Sequence, residues 1–344
     1  MTQSGSVKNN TRHAALGLTD EQAVRMYELM QLARKYDERG QLLQRAGKVN
    51  FNISGINQEP SQVAMAFAMD TERDWFLPYY RDYAFVLSVG MTVKELMLAL
   101  FGKEEDPNSA GRQLPGHFGS KRLRIVTGSS PVTTQVPHAV GFALAAKMRG
   151  ENSVSLVSFG EGSSNQGDFH EGCNFAGVMK LPVIFVCQNN GYAISVPLSK
   201  QTAGRISDRA LGYGFPGFQV DGNDPLEVYR VFKEAHDRAL AGEGPTLIEV
   251  VTYRVTPHSA SDNDLAYRTK EEVEHHRAKD GIPAYRRYLT DIGLWNDEKE
   301  QELLVRIRKE IDEATEYGER APFQSVEDAF RYVYAETDAA GEVR

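Results

Sequence analysis

Cysteine is almost missing from this chain: Cys173 and Cys187 are the only two in 344 residues. Two thiols in apolar surroundings exclude a disulfide framework and read as buried and inert in a reducing compartment. No apolar run approaches the ~20 residues that a membrane-spanning helix needs. The opening stretch, MTQSGSVKNNTRH, lacks the apolar segment of a signal peptide. Basic residues are outnumbered, with 39 Lys and Arg against 47 Asp and Glu, so the net charge is −8. That balance favours solubility and argues against a nucleic-acid surface. These absences lead to the expectation of a cytoplasmic protein that engages neither nucleic acid nor membrane. Internal repeats and low-complexity segments are absent as well.

What is present suits a soluble enzyme. Hydrophobic residues make up 41% and charged residues 25%, ordinary proportions for a globular fold. The length allows one large domain or two small ones, with an ample core. Residues 1–17 are polar and small and are expected to form a flexible tail. Thr19-Asp20-Glu21-Gln22 has the capping-box pattern and opens a long amphipathic helix. A second helix follows Glu59-Pro60, PYYRDYAFVLSVG leads into a third, and Thr92 caps a fourth. Residues 103–121 read as a polar loop. From about Val126 apolar strands alternate with helices. The strands are VSLVSFG, PVIFVC, FQV and TLIEVVTYRV to Val255, and the helices are 135–149, 168–180 and one opened by Asp224-Pro225. That alternation predicts an α/β fold with a mostly parallel sheet covered by helices on both faces, and N- and C-terminal helical extensions. The charged segment from Glu271 on is expected to be helical, its last stretch being Val326–Tyr334. The domain is expected to span 18–335, with 336–344 as a C-terminal tail.

Open α/β sheets bind ligands at the carboxyl ends of their strands. Three strands here end in unusual polar residues: Gly160-Glu161-Gly162, Gln188-Asn189-Asn190-Gly191-Tyr192 and Thr256-Pro257-His258-Ser259. Gly160 and Gly162 would let the backbone turn sharply and approach a ligand. The helix behind them would point N–H groups at a phosphate. A carboxylate beside a phosphate is repelled unless a cation lies between them. Glu161 and an Asn oxygen are hard donors of the kind magnesium takes. Alone, a G-x-G turn is common and an Asn-Asn pair is an ordinary turn. A nicotinamide site would show G-x-G-x-x-G, but Asn165 stands where the third glycine belongs, and no Walker loop is present. A structural or non-catalytic assembly role remains the competing class.

The spacing is more telling. Asn190 follows Glu161 by 29 residues, and GEG with NN at that interval resembles the thiamine diphosphate motif. The likeness extends to YYRDY at Tyr79, GRQLPGHFGSK at Gly111, TGSSPVTTQVPHAVG at Thr127 and YRVTPHSASDNDLAYR at Tyr253. Over about residues 18–335 the sequence resembles the alpha subunit of the 2-oxo acid dehydrogenase decarboxylating component, a thiamin diphosphate-binding fold. GEG in place of GDG, the GRQLPGHFG loop and NNGYAIS make it most similar to branched-chain members of the Bacillus type. Pyruvate or acetoin dehydrogenase alpha subunits are the alternative.

That resemblance implies a set of roles. Glu161, Asn190 and the Tyr192 carbonyl would hold Mg2+ against the diphosphate. Tyr80 and Arg81 match a cofactor-side pair, with Arg suited to bidentate phosphate contacts. Ser130 and Val132 match positions beside the diphosphate and aminopyrimidine, and Gly162 and Ser163 open the diphosphate-facing helix. His258 matches the active-site histidine of a mobile loop, with Arg254 as the loop's anchor. Ser129, Pro131, Thr134 and Gln135 match a monovalent-cation (K+) site. His117 is a candidate to reach the site, whereas His138 and His170 are expected to pack or cap, and His275-His276 to face solvent. Mammalian relatives carry Arg where Gln188 stands, so one diphosphate contact is expected to be missing or supplied elsewhere. Ser259 occupies a position modified by a kinase in those relatives and reads here as a loop serine. The family's second, aminopyrimidine-activating half is not found in this chain. The implied partners are a beta subunit, in a two-alpha, two-beta heterotetramer, and a lipoylated acyltransferase component. The implied reaction is decarboxylation of a 2-oxo acid such as 3-methyl-2-oxobutanoate, with acyl transfer to the lipoyl group.

Overall fold

A computed structural model describes residues 11–330 of the chain. Five strands form one sheet: β1 (Trp75–Leu77), β2 (Ser155–Gly160), β3 (Val183–Asn189), β6 (Gly217–Asp221) and β7 (Thr246–Val251). Their order is β1-β2-β3-β7-β6, and every pairing is parallel. A small antiparallel ribbon joins β4 (Tyr192–Ala193) to β5 (Val196–Pro197). Parallel strands need covered faces, and the pleat sends alternate side chains to opposite sides. Ile184 and Val186 of β3 accordingly join one core, while Val183, Phe185 and Cys187 join the other.

The first core lies under α2 (Asp20–Arg45), α3 (Glu59–Phe67), α4 (Tyr83–Ser88), α5 (Val93–Phe101), α9 (Pro225–Leu240), α11 (Gly281–Asp291) and α12 (Asp297–Arg320). The second lies under α6 (Gln135–Arg149), α7 (Gly167–Met179) and α8 (Arg209–Gly212). Short helices α1 (Arg12–Ala15) and α10 (Lys270–Arg277) complete the set among the described residues. The expected architecture, a parallel sheet covered on both faces with helical extensions, is the one observed. The capping boxes at Thr19–Gln22 and Thr92–Glu95 are both formed, and Asp224 caps α9 through the N–H groups of Leu226 and Glu227. The extensions meet across the domain: Arg306 of α12 pairs with Glu28 of α2 at 2.7 Å.

Several expectations fail locally. The α/β part begins at β1, not near Val126. A three-residue strand is too short to carry a periodic signal. The seventh strand stops at Val251 rather than Val255, after which the chain leaves the sheet. Residues 11–17, expected in a flexible tail, are held in place: His13 is fully buried, with Nδ1 2.7 Å from the Tyr288 hydroxyl and Nε2 2.7 Å from Asp20. Of the helix expected over Val326–Tyr334, Glu327–Phe330 is a 3-10 turn. Residues 331–334, the expected tail 336–344 and residues 1–10 lie outside the described residues.

Candidate active site

A cavity of about 460 Å³ opens where β1, β2, β3 and β7 end. Each strand delivers residues to it. Tyr80 and Arg81 follow β1, Glu161, Gly162 and Ser163 follow β2, Asn190 and Tyr192 follow β3, and His258 follows β7. Ser129, Ser130, Val132 and Gln135 line another side. Of the residues the resemblance assigns to the cofactor, the metal or the monovalent cation, Arg254, Pro131 and Thr134 do not line the cavity.

Glu161 is 2% exposed, and its Oε2 accepts the backbone N–H of Asn190 at 3.1 Å. Burial raises its carboxyl above the usual carboxylate range, against the pull of backbone N–H groups and of the Arg254 and Arg81 charges. It makes no ion pair with any described residue. The two asparagines divide their work, as the pleat requires. Asn189 donates to Glu249 at 2.7 Å and accepts from Gly191 N–H at 3.1 Å, which fixes the turn. Glu249 also accepts the N–H of Ser207 at 3.0 Å. Asn190 turns to the cavity, where its Oδ1 lies 3.4 Å from the Tyr192 N–H. The Tyr192 carbonyl accepts from Arg254 at 3.1 Å. Arg254 also donates to the Ile194 carbonyl and the Tyr267 hydroxyl at 2.6 and 2.7 Å, which ties the segment after β3 to the segment after β7.

The glycines act differently from the expectation. Neither Gly160, at φ −82°, nor Gly162 occupies the left-handed region. Gly162 is needed because an added Cβ would sit 2.8 Å from the Cβ of Ala193. Gly162 and Ser163 lie in a 3-10 turn, Glu161–Asn165, and α7 starts only at Gly167. They therefore do not open that helix. Backbone strain sits instead at two β-branched residues, Thr133 at φ 80° and Ile194 at φ 55°. Ile194 lines the cavity, and Thr133 hydrogen-bonds the Ser163 carbonyl at 3.3 Å.

Arg81 is 1% exposed. It donates to the Ser54 carbonyl at 2.5 Å and, at 3.0 Å each, to Nδ1 and the carbonyl of His258. Its Nε is buried without a partner. A guanidinium can only donate, so His258 Nδ1 is unprotonated and the ring's proton sits on Nε2. Burial and the Arg81 charge push the His258 pKa down to about 4, which keeps the ring neutral. Asp262 accepts the His258 N–H at 2.8 Å and the Tyr267 hydroxyl at 2.5 Å.

His117 lines the same cavity. Its Nδ1–H donates to the Leu114 carbonyl at 2.8 Å, leaving Nε2 to accept the Ser130 hydroxyl at 2.7 Å. Phe51, Ile53 and Leu114 form an apolar wall that sequence reasoning missed. Their one signal was position within loops flanking motif residues. Gln188 is fully buried and does not line the cavity. His138 is exposed rather than packed, and His276 is half-buried, stacked on Tyr253 at 3.9 Å.

A sequence profile described as "Dehydrogenase E1 component" matches residues 27–327. This chain belongs to the dehydrogenase E1 component family. It is 60% identical over 328 residues to the 2-oxoisovalerate dehydrogenase subunit alpha of Bacillus subtilis (strain 168), covering 95% of this chain and 99% of that one. It is 41% identical over 319 residues to the pyruvate dehydrogenase E1 component subunit alpha of Staphylococcus aureus (strain Mu50), covering 92% and 83%. The corresponding Staphylococcus epidermidis protein is 40% identical over 321 residues, covering 93% and 84%.

Within this E1 chain the oxygen donors at the cavity floor are one carboxylate, one amide and one carbonyl. No three His, Cys, Asp or Glu side chains gather as a metal cluster among the described residues. A site with so few protein ligands suits an ion that keeps water and phosphate oxygens in its coordination shell. No helix of the described residues is long and apolar enough to cross a membrane.

Proposed function

We propose that this chain is the alpha subunit of a branched-chain 2-oxo acid dehydrogenase that works with thiamine diphosphate and Mg2+. The observation that carries the reading is the buried Glu161 carboxylate, without an ion-pair partner among the described residues, beside Asn190 at the floor of a cavity in which it is the only carboxylate. The residues fit the cofactor. Glu161, the Asn190 amide oxygen and the Tyr192 carbonyl would hold the metal. Arg81, with a free buried Nε, supplies donors for a diphosphate. Tyr80, Ser130, Val132, Gly162 and Ser163 flank the same space. When bound, thiamine diphosphate supplies the carbon nucleophile and electron sink that loss of carbon dioxide from a 2-oxo acid requires. His258 presents an Nε2–H donor to the diphosphate, the substrate carboxylate or the incoming lipoyl group, and Arg81 keeps it in that tautomer. Phe51, Ile53 and Leu114 offer apolar contacts to a branched aliphatic chain.

A monovalent cation at Ser129, Pro131, Thr134 and Gln135 is a further part of the proposal. Gln135 Oε1 is buried without a partner, while the Pro131 carbonyl already accepts from Thr134 at 3.1 Å. The partners are a beta subunit in a two-alpha, two-beta tetramer, which brings the aminopyrimidine-activating half, and a lipoylated acyltransferase. We place the complex in the cytoplasm.

The test is co-expression with the beta subunit, then decarboxylation of 3-methyl-2-oxobutanoate and pyruvate with an artificial electron acceptor. Preference for the branched acid, and no turnover by the alpha chain alone, is the expected result. Preference for pyruvate would move the enzyme to the sister reaction. Full turnover by the isolated chain would sink the two-subunit reading.

A further inference from the structure

We infer that Gln188 is a positioning residue for Arg81 and Tyr80, acting through a fully buried lock with Asp82 and Gln62. Gln188 sits at the end of β3 opposite Gly160 of β2 and Val250 of β7. Its side chain follows Val186 toward the α3 face, not toward the cavity. There its Nε2 donates to Asp82 Oδ1 at 2.5 Å and its Oε1 accepts from Gln62 Nε2 at 3.1 Å. Gln62, on α3, grips the same turn twice more. It donates to the Arg81 carbonyl at 3.1 Å and accepts the Ala84 N–H at 3.1 Å. Asp82 completes the frame: its Oδ2 accepts the Tyr79 N–H at 3.1 Å and the Ser158 hydroxyl. All four side chains are at most 1% exposed.

The lock thus ties β2, β3 and α3 to the four residues that carry Tyr80 and Arg81. Within the turn the Asp82 N–H bonds the Tyr79 carbonyl at 3.0 Å and the Tyr83 N–H bonds the Arg81 carbonyl at 2.9 Å, and the lock adds the ties to the sheet and α3. The turn comes straight off β1, which has only three residues. Gly55 shows how closely the parts fit, since a Cβ there would lie 2.4 Å from the Arg81 carbonyl. Buried, mutually satisfied polar groups of this kind specify one geometry, and losing one member strands the others.

This inference rests on the proposed cofactor reading. The experiment uses the assembled alpha–beta tetramer and measures thiamine diphosphate affinity with Mg2+, the kcat and KM for the 2-oxo acid, and Tm. Gln188→Met keeps the volume and removes both hydrogen bonds. We expect cofactor affinity to fall about 10-fold, in the range of residues that orient a ligand-holding group. Gln62→Met should do the same. The double variant should lose no more than the worse single one, because both break one device. Affinities unchanged in folded Gln188→Met, or losses that multiply in the double variant, would overturn the lock. If Gln188→Met does not assemble, Ser158→Ala loosens the other Asp82 oxygen and should weaken affinity about 3-fold; no change there would also overturn it. Failure of the wild-type tetramer to bind thiamine diphosphate would instead refute the cofactor reading.

Discussion

The cavity has two unlike halves. Its floor, Glu161 and Asn190, stands on the ends of β2 and β3, where the backbone itself sets the geometry. Its mouth, where the more exposed His258, Leu114 and His117 lie, stands on loops. There position depends on side chains holding side chains: Arg81 on His258, Asp262 on the His258 N–H, and Ser130 on His117. The floor is made for a fixed charge. The mouth is made of contacts that can be broken one at a time, which suits the proposed entry of substrate and an acyl acceptor.

Breaking the floor should have the largest effect. Glu161→Ala removes the only carboxylate of the proposed metal site. Metal-dependent binding of thiamine diphosphate should fall by at least about 100-fold, beyond what residues that merely orient a ligand contribute. The fold should not suffer, because the substitution removes a buried charge with no ion-pair partner. Calorimetric titration and a thermal melt of the same sample check both halves of the statement. Unchanged affinity would end the metal assignment.

At the mouth, His258→Ala should act on turnover rather than on cofactor binding. Loss of a donor or proton carrier costs about 100-fold in kcat, while the floor still holds the cofactor. A drop confined to cofactor affinity would mean that His258 belongs to the floor in function, and the contrast between the halves would fail.

Legibility in the sequence follows the same division. Glu161 and Asn190 could be found because each closes an apolar strand and because their 29-residue interval resembles a family motif; either turn alone would have read as ordinary. Helices α2, α5 and α9 could be found because Thr19, Thr92 and Asp224 cap them locally. Strand β1 could not, since three residues have no period, and its role is set by pairing with β2 and a bridge from Phe76 to Ile125. The apolar wall was missed because Phe51, Ile53 and Leu114 are brought together by loops whose course depends on distant partners such as Asp37, which accepts the Gly55 N–H at 2.6 Å. Gln188 read as a lost ligand contact. Only the structure turns it toward Asp82, whose carboxyl burial pushes up to about 7.

The pH response of the mouth sharpens the comparison further. His258 is held neutral, with its pKa down near 4 from an ordinary 6.5, by burial and by Arg81. A histidine depressed in the folded state contributes stability that is present above pH 6.5 and lost as pH falls toward 4. Hydrogen exchange in the cofactor-free chain, corrected for intrinsic rates, should therefore show residues 256–268 losing protection between pH 6.5 and 4. The β3 amides should keep theirs until the whole domain unfolds. Equal loss in both would mean that the loop is no weaker than the sheet.

The smallest expected effect is also the most selective. Leu114 lines the cavity yet is 55% exposed in this chain alone, so shortening it leaves the core intact and Tm within about 1 °C. Leu114→Ala removes apolar contact that a branched chain can use and the methyl of pyruvate cannot reach. A methylene in an enclosed pocket discriminates by about 10-fold or more. A half-open wall should give less, so the preference for 3-methyl-2-oxobutanoate over pyruvate should fall about 5-fold, through KM rather than kcat. A change of that kind makes the mouth the seat of acyl-chain choice on this subunit. An unchanged ratio would assign that choice to surfaces the beta subunit supplies, and would leave this chain with the proposed cofactor-holding role of Glu161 and Asn190, which is the same for either acid.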